Sequence, residues 1–249
     1  MLYHPASRPS AIYALRTAKS HIRSYDNGIH PTYSPVDLSL YGSESYAPDD
    51  IKEGNKNLAA AGIIWVRDVQ GKIETPKLYQ HYYNNSGGIY ILDTSIVDKW
   101  IKDETNDYDS SAPDWVDPPW PLILIHRQIA ISSAVGVARG AGKNVKYARS
   151  TRWYTIAGID QDYTTSLGRH QMSTSTTVIA RPYPNGHTYL QYEQVAYFYD
   201  HYDFGPGEPE YGGRQREFSK LAHQAMLYGI AKPFEVQGES TPMSGFETR

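Results

Sequence analysis

The chain has 249 residues, with 24 Lys and Arg against 27 Asp and Glu, a formal charge of -3 and no cysteine. This balance leaves no global basic field to hold a nucleic-acid backbone, and the missing thiols exclude a cysteine nucleophile, a disulfide framework and a cysteine zinc site. The length suffices for one large or two small domains, and 22 tyrosines against 5 phenylalanines suit half-buried strands, where the ring packs and the hydroxyl finds a partner.

In chain order, Ala11 to Arg23 carries Ile12, Leu15, Lys19 and Ile22 at helical spacing, and Asp26-Asn27-Gly28 is a stop signal. Met1 to Ser20 lacks the continuous apolar core of a signal peptide. His30 to Asp50 has no clear period and reads as loop. Ile63 to Val69 and Ile89 to Leu92 are expected as strands, joined through Tyr- and Asn-rich turns that include Tyr82-Tyr83-Asn84-Asn85. Ser95 to Asp103, with Ile96, Trp100 and Ile101 on one side, predicts a short helix.

Between Asp103 and Pro121 the composition turns to Asp, Ser and Pro, with Pro113, Pro118, Pro119 and Pro121 opposing regular structure. A domain boundary is placed there, giving an N-terminal region over 1–112 and a C-terminal domain over 113–249. Leu122 to Val137 is an apolar run that periodicity alone leaves open between buried helix and strand. His126, Arg127 and Gln128 interrupt it, so no transmembrane segment is expected, and His126 reads as a satisfied core residue.

A meander follows over Arg152 to Gly158, Met172 to Arg181 and Thr188 to Tyr199, with Pro184-Asn185-Gly186 as the turn between the last two. Asp160, Asp162, Arg169 and His170 read as an ordinary polar loop. Arg214 to Tyr228 predicts a helix with Phe218, Leu221, Ala222 and Ala225 on one face, Gly229 stops it, and Pro233 to Val236 is a closing strand. The fold class is therefore α+β: a C-terminal curved antiparallel sheet or open β-barrel with a packed helix, and an N-terminal mixed α/β region.

The segment Asp200-His201-Tyr202-Asp203-Phe204 ends the tyrosine-rich strand just before Gly205-Pro206-Gly207 and an arginine-headed helix. Asp200 and Tyr202 point the same way in an extended chain, and Asp203 follows at the bend, so two carboxylates are expected to converge on one ligand. Paired acids near arginine hold a hard cation against a phosphate or move protons at a scissile bond. Arg214 and Arg216, flanking Gln215 at the helix start, suit an anion. The bland alternative makes Asp200 and Asp203 turn-capping residues and pairs the arginines with Glu210 or Glu217.

In this segment the chain resembles the colicin M-like bacteriocins and toxins, whose catalytic domain carries Asp-x-Tyr-Asp-Phe after a β-meander, then a loop, a His-Arg pair opening a helix, and a final strand. The resemblance runs from Leu167-Gly168 through Ser173 to Ala180, the Asn185-Gly186 turn and the pentapeptide to Phe234 and Gly238, about the last third of the chain. It implies cleavage of the peptidoglycan precursor lipid II between undecaprenyl and pyrophosphate, with Mg2+, in the periplasm of a target bacterium that a secreted or injected toxin has reached. An immunity protein and a receptor or secretion machinery are its implied partners, with recognition, delivery or immunity binding assigned to the N-terminal region.

By position, Asp200, Tyr202 and Asp203 match the family's acids and tyrosine, with Asp200 and Asp203 as the metal pair. The His-Arg pair falls on Gln215-Arg216, with Arg214 competing for the arginine; Gln215 and His201 are assigned to substrate binding. No histidine stands at the family position, which leaves His201, His170, His187 and His223 as substitutes, and the loop Phe204 to Gly213 is longer than the family's. Two rival readings are a tyrosine-rich module binding glycan or receptor without catalysis, and a metal-dependent hydrolase of another phosphoester.

Overall fold

A computed structural model describes residues 49–84, 86–106, 119–157, 167, 169–204 and 213–249. The expected helix at Ala11 to Arg23, most of the loop before Asp50, the proline-rich boundary up to Pro118, the Asp160 and Asp162 turn and the loop after Phe204 lie outside these residues.

Among the described residues, α1 (Asp49–Ile64) runs into a π-helical turn at Trp65–Val69, followed by α2 (Glu74–Tyr83), β1 (Tyr90–Ile91), α3 (Thr94–Asn106) and α4 (Pro119–Ala141). Then come β2 (Val145–Ser150), β3 (Tyr154–Ala157), β4 (Arg169–Pro182), β5 (Thr188–Tyr202), α5 (Gly213–Leu227), β6 (Phe234–Glu239) and β7 (Met243–Thr248). The fold is α+β. One seven-stranded sheet has the order β1-β6-β5-β4-β2, with β3 also on β4 and β7 also on β5. All pairs are antiparallel except β1 with β6, and the sheet is not closed.

Its backbone is the hairpin β4–β5, in register from Pro182↔Thr188 to Gln171↔Tyr199. The turn is the expected one: Gly186 takes φ 86, a value that costs a residue with a Cβ, and its N–H donates to the Tyr183 carbonyl. Even-numbered residues of β4 and β5 face the helices, because the strand period is two. Met172, Val178, Ala180, Leu190, Ala196, Phe198 and Tyr202 are buried on that face.

The open choice at Leu122–Val137 resolves as helix. Helix α4 lays Ile123, Ala130, Ile131, Ala134 and Ala138 on the sheet, spacings of three, four and seven that keep one face inward. Arg127 on the same helix donates to Gln194 at 3.0 Å and lies 5.0 Å from the Tyr192 ring centre. Leu122–Ala141 is long and apolar enough to cross a bilayer by length and composition alone, with mean hydropathy 1.2, and here one of its faces is packed on the sheet. His126 is buried, as expected, with Nδ1 3.3 Å from the Thr174 hydroxyl and its ring against Tyr154.

The strand expected at Ile63 to Val69 is instead the end of α1 and the π-helical turn, because Ala59, Ile63 and Val66 turn one helical face inward. The turn expected at Tyr82-Tyr83 is the last turn of α2; Tyr82 is fully buried and donates to the Ala222 carbonyl at 3.1 Å. Leu78, Tyr82, Leu92, Val97 and Trp100 share one core with Met172, Phe198, Tyr202 and Phe234, so residues on both sides of 112/113 build the same cluster. Helix α5 ends where expected: Gly229, at φ 66, donates to Met226 O and Ile230 to Ala225 O, the paired bonds of a glycine-terminated helix.

Candidate functional site

The site sits at the end of β5, where the strand leaves β6. Tyr202 pairs across with Phe234, His201 with Glu235 and Asp200 with Val236. The Tyr202 ring stacks on Phe234 at 4.9 Å, meets Phe204 edge-on at 5.4 Å, and packs on Tyr79 and Tyr82 of α2. An aromatic wall from three separate segments thus fixes the last turn of the motif.

The strand period puts Asp200 on the core face between Phe198 and Tyr202. Its carboxyl is held well above the usual carboxylate range, first because burial penalises the charge and second because Asp203 is negative; a main-chain N–H of His201 partly offsets both. Asp203 is 42% exposed, and its Oδ2 lies 4.0 Å from Nε2 of His201. Asp200 thus lies within the field of Asp203 at the strand end. Burial lowers the His201 pKa, and Asp203 opposes that shift.

The Tyr202 hydroxyl is buried without a hydrogen-bond partner among the described residues, and burial raises its pKa well above the ordinary value. Tyr79, Tyr82, Tyr197 and Tyr199 are buried as well, so much of the tyrosine signal is core packing.

Of the histidines considered as substitutes, His170 is buried and stacked on Phe198, and His187 lies in the β4–β5 turn at the far end of the sheet. His201 stands beside Asp203. His223, on α5, lies 2.8 Å from the Phe204 carbonyl through Nδ1. A carbonyl only accepts, so Nδ1 carries the proton and Nε2 of the neutral ring is left as the acceptor. This bond ties α5 to the residue that closes the motif, and 19 positions of separation hide it from a local reading of sequence.

Positions 214, 215 and 216 occupy the first turn of α5, as predicted, but the side chains of Arg214, Gln215 and Arg216 lie outside the described residues. Position 216 is seven residues before His223, two turns along one helix face. Among the described residues no group of three or more His, Cys, Asp or Glu forms a metal cluster. The donors available to a cation are the two hard carboxylates Asp200 and Asp203, whose mutual repulsion a divalent ion would relieve.

No family model matches the sequence, and no curated protein matches it. Among solved structures the chain is similar to PaeM, a colicin M-like bacteriocin produced by Pseudomonas aeruginosa, with a TM-score of 0.38 and 13% identity over 71% of this chain. The match spans half of that protein's length, 50%.

Proposed function

We propose that this chain is an antibacterial toxin that hydrolyses lipid II between undecaprenyl and pyrophosphate and so blocks cell-wall synthesis from the periplasmic side. The observation that carries the reading is the pairing of an exposed Asp203 with a desolvated Asp200 at the end of β5, inside the Asp-x-Tyr-Asp-Phe pattern. A mere turn cap has no use for a half-buried carboxylate on the core face whose charge its surroundings penalise. The order of meander, motif, helix and closing strand adds support.

In this reading Asp203, open to solvent, is the group that meets the substrate, and Asp200 is its partner in holding Mg2+. When bound there, the ion supplies charge neutralisation at the pyrophosphate. Arg214 or Arg216 clamps the diphosphate from the first turn of α5, where the helix N-terminus also favours an anion, with Gln215 as a neighbouring contact. His223, its Nδ1 proton committed to the Phe204 carbonyl, offers Nε2 for a proton, and His201 is held beside Asp203. Tyr202 shapes the floor of the site. The N-terminal region serves recognition, delivery or immunity binding, while its helices α2 and α3 also wall the core beneath the motif.

Incubation of the protein with lipid II and magnesium is expected to release the lipid alcohol, and Asp203→Ala to abolish release. Expression targeted to the periplasm of a sensitive bacterium should lyse it, and cytoplasmic expression should not. Intact lipid II after prolonged incubation with folded protein and metal refutes the reading.

A further inference from the structure

Helix α4 packs one side on the sheet, and the side it leaves open carries no charge. Between Pro119 and Gly142 the chain holds no Asp, Glu or Lys. Both arginines are engaged on the protein: Arg127 donates to Gln194 and lies over the Tyr192 ring, and Arg139, near the helix end, reaches the Thr188 hydroxyl and the Gly186 carbonyl. The one histidine, His126, is buried.

What faces outward is apolar or small. Leu124, Ile125, Ile129 and Val137 are between 36% and 53% exposed, with Gln128, Ser132 and Gly136 exposed among them. A Cβ added at Gly136 would meet no atom within 4 Å, so the space beside the helix is open there. Ser133 donates its hydroxyl to the Ile129 carbonyl at 2.9 Å, and Gln128 accepts from the Arg249 guanidinium, so even the polar groups are turned back on the protein.

A helix on the surface of a globular domain sets charged residues opposite its core face, whereas one apolar on every side is covered by protein or lipid. Two properties select lipid. From Leu124 to Val137 the open face is about 20 Å long and about 10 Å wide, roughly 200 Å², against the roughly 800 Å² per partner that a stable protein complex buries. It also presents no charge to fix the register of a protein partner, while hydrocarbon requires only apolar length, and Leu122–Ala141 has that length with a mean hydropathy of 1.2.

We propose that the outward face of α4 docks on a lipid bilayer, with the helix lying in the plane of the interface, still packed on the sheet, and Leu124, Ile125, Ile129 and Val137 turned to the acyl chains. The purpose of this contact rests on the lipid II reading: a toxin held at the membrane meets a membrane-anchored substrate at a raised effective concentration.

The test is flotation of the full chain with phosphatidylcholine vesicles that hold no lipid II. The chain has no cysteine, so Ile129→Cys accepts a single environment-sensitive dye, and Glu193→Cys, exposed on the face of β5 away from the helices, is the control. Flotation is expected to be unchanged from about 0.05 to 0.5 M salt, because no charge contributes, with a blue shift of the dye at position 129 and none at position 193. The double variant I125E/I129E should bind at least about tenfold more weakly, with its urea midpoint kept; if that midpoint falls, the dye at position 129 decides alone. No flotation of the folded chain, an unshifted dye at position 129 or equal binding by the folded double variant overturns the proposal. So does a dimer in solution that buries the same dye, since the occupant is then a second copy. Lipid release from lipid II in detergent micelles, where no bilayer exists, should be equal in the wild type and I125E/I129E. Its absence from both, with flotation intact, refutes the hydrolytic reading and leaves the docking face standing.

Discussion

Tyr202→Phe is expected to stabilise the protein. A buried hydroxyl left without a partner costs roughly 1–3 kcal/mol of lost hydration, and the Tyr202 oxygen is in that position among the described residues. Phenylalanine keeps the ring and its contacts with Phe234, Phe204, Tyr79 and Tyr82, so packing changes little. The expected gain is about 1 kcal/mol, or roughly 2–4 °C in Tm for a chain of this size. Tyr82→Phe is the matched control: its hydroxyl donates to the buried Ala222 carbonyl, and its removal should cost about 1–2 kcal/mol by leaving that oxygen short of a donor. Urea and thermal unfolding of both variants, compared at equal m, measure the difference. A Tyr202→Phe variant that loses as much stability as Tyr82→Phe refutes the reasoning. If lipid release falls while stability rises, the hydroxyl serves the substrate rather than the fold.

Asp200→Asn should flatten part of the pH dependence of stability. The folded carboxyl has a raised pKa, so its contribution is complete below the unfolded carboxylate value and is lost as pH rises toward the folded one; urea midpoints at pH 3 to 8 for both proteins check this. His126 works in the opposite direction, because burial first and Arg149 second lower its pKa to about 4. Stability it supports above about 6.5 is lost as pH falls toward 4, and His126→Gln should remove that slope in the same measurement. Arg127→Ala should cost about 2 kcal/mol by leaving the buried Gln194 oxygen without its donor, read as a shift in urea midpoint. His223→Gln should slow lipid release more than it lowers the midpoint, which comparison of the two assays separates.

The parts of the fold legible in sequence are those where local pattern and tertiary need agree. Alternation through β4 and β5, the Pro184-Asn185-Gly186 turn and the Gly229 stop each specify one geometry by themselves. Ile63-Ile64-Trp65-Val66 misleads because β-branched and aromatic residues favour strands, whereas Ala59, Ile63 and Val66 gain more by burying one helix face. Tyr82 misleads through its neighbours Asn84 and Asn85, which signal a turn; the burial of Leu78 and Tyr82, four residues apart, is the helical signal that outweighs it. Strands β2 and β7 are not legible locally because β2 buries Val145 only under α4, and β7 alternates between exposed and half-exposed positions with little apolar contrast. At the site, the order of Asp200, Tyr202 and Asp203 is written in the chain, whereas the bond from His223 to Phe204 exists only once α5 has folded back over the motif.

The core-facing row of β5 argues that its last residues answer to something besides packing. Leu190, Ala196 and Phe198 are apolar and buried. Gln194, the polar residue in mid-row, is fully served, giving its amide to the Ile123 carbonyl and receiving Arg127. The next polar positions on that face are Asp200, whose carboxyl burial and Asp203 both push toward its neutral form, and Tyr202, whose hydroxyl meets no described acceptor. A strand that satisfies its buried amide within three bonds' reach of its neighbours has the means to satisfy or discard these two groups, and an apolar pair here would fold more easily. Two adjacent inward positions that resist folding, at the one end of the sheet where an exposed acid and a histidine also gather, are where stability is expected to yield to chemistry.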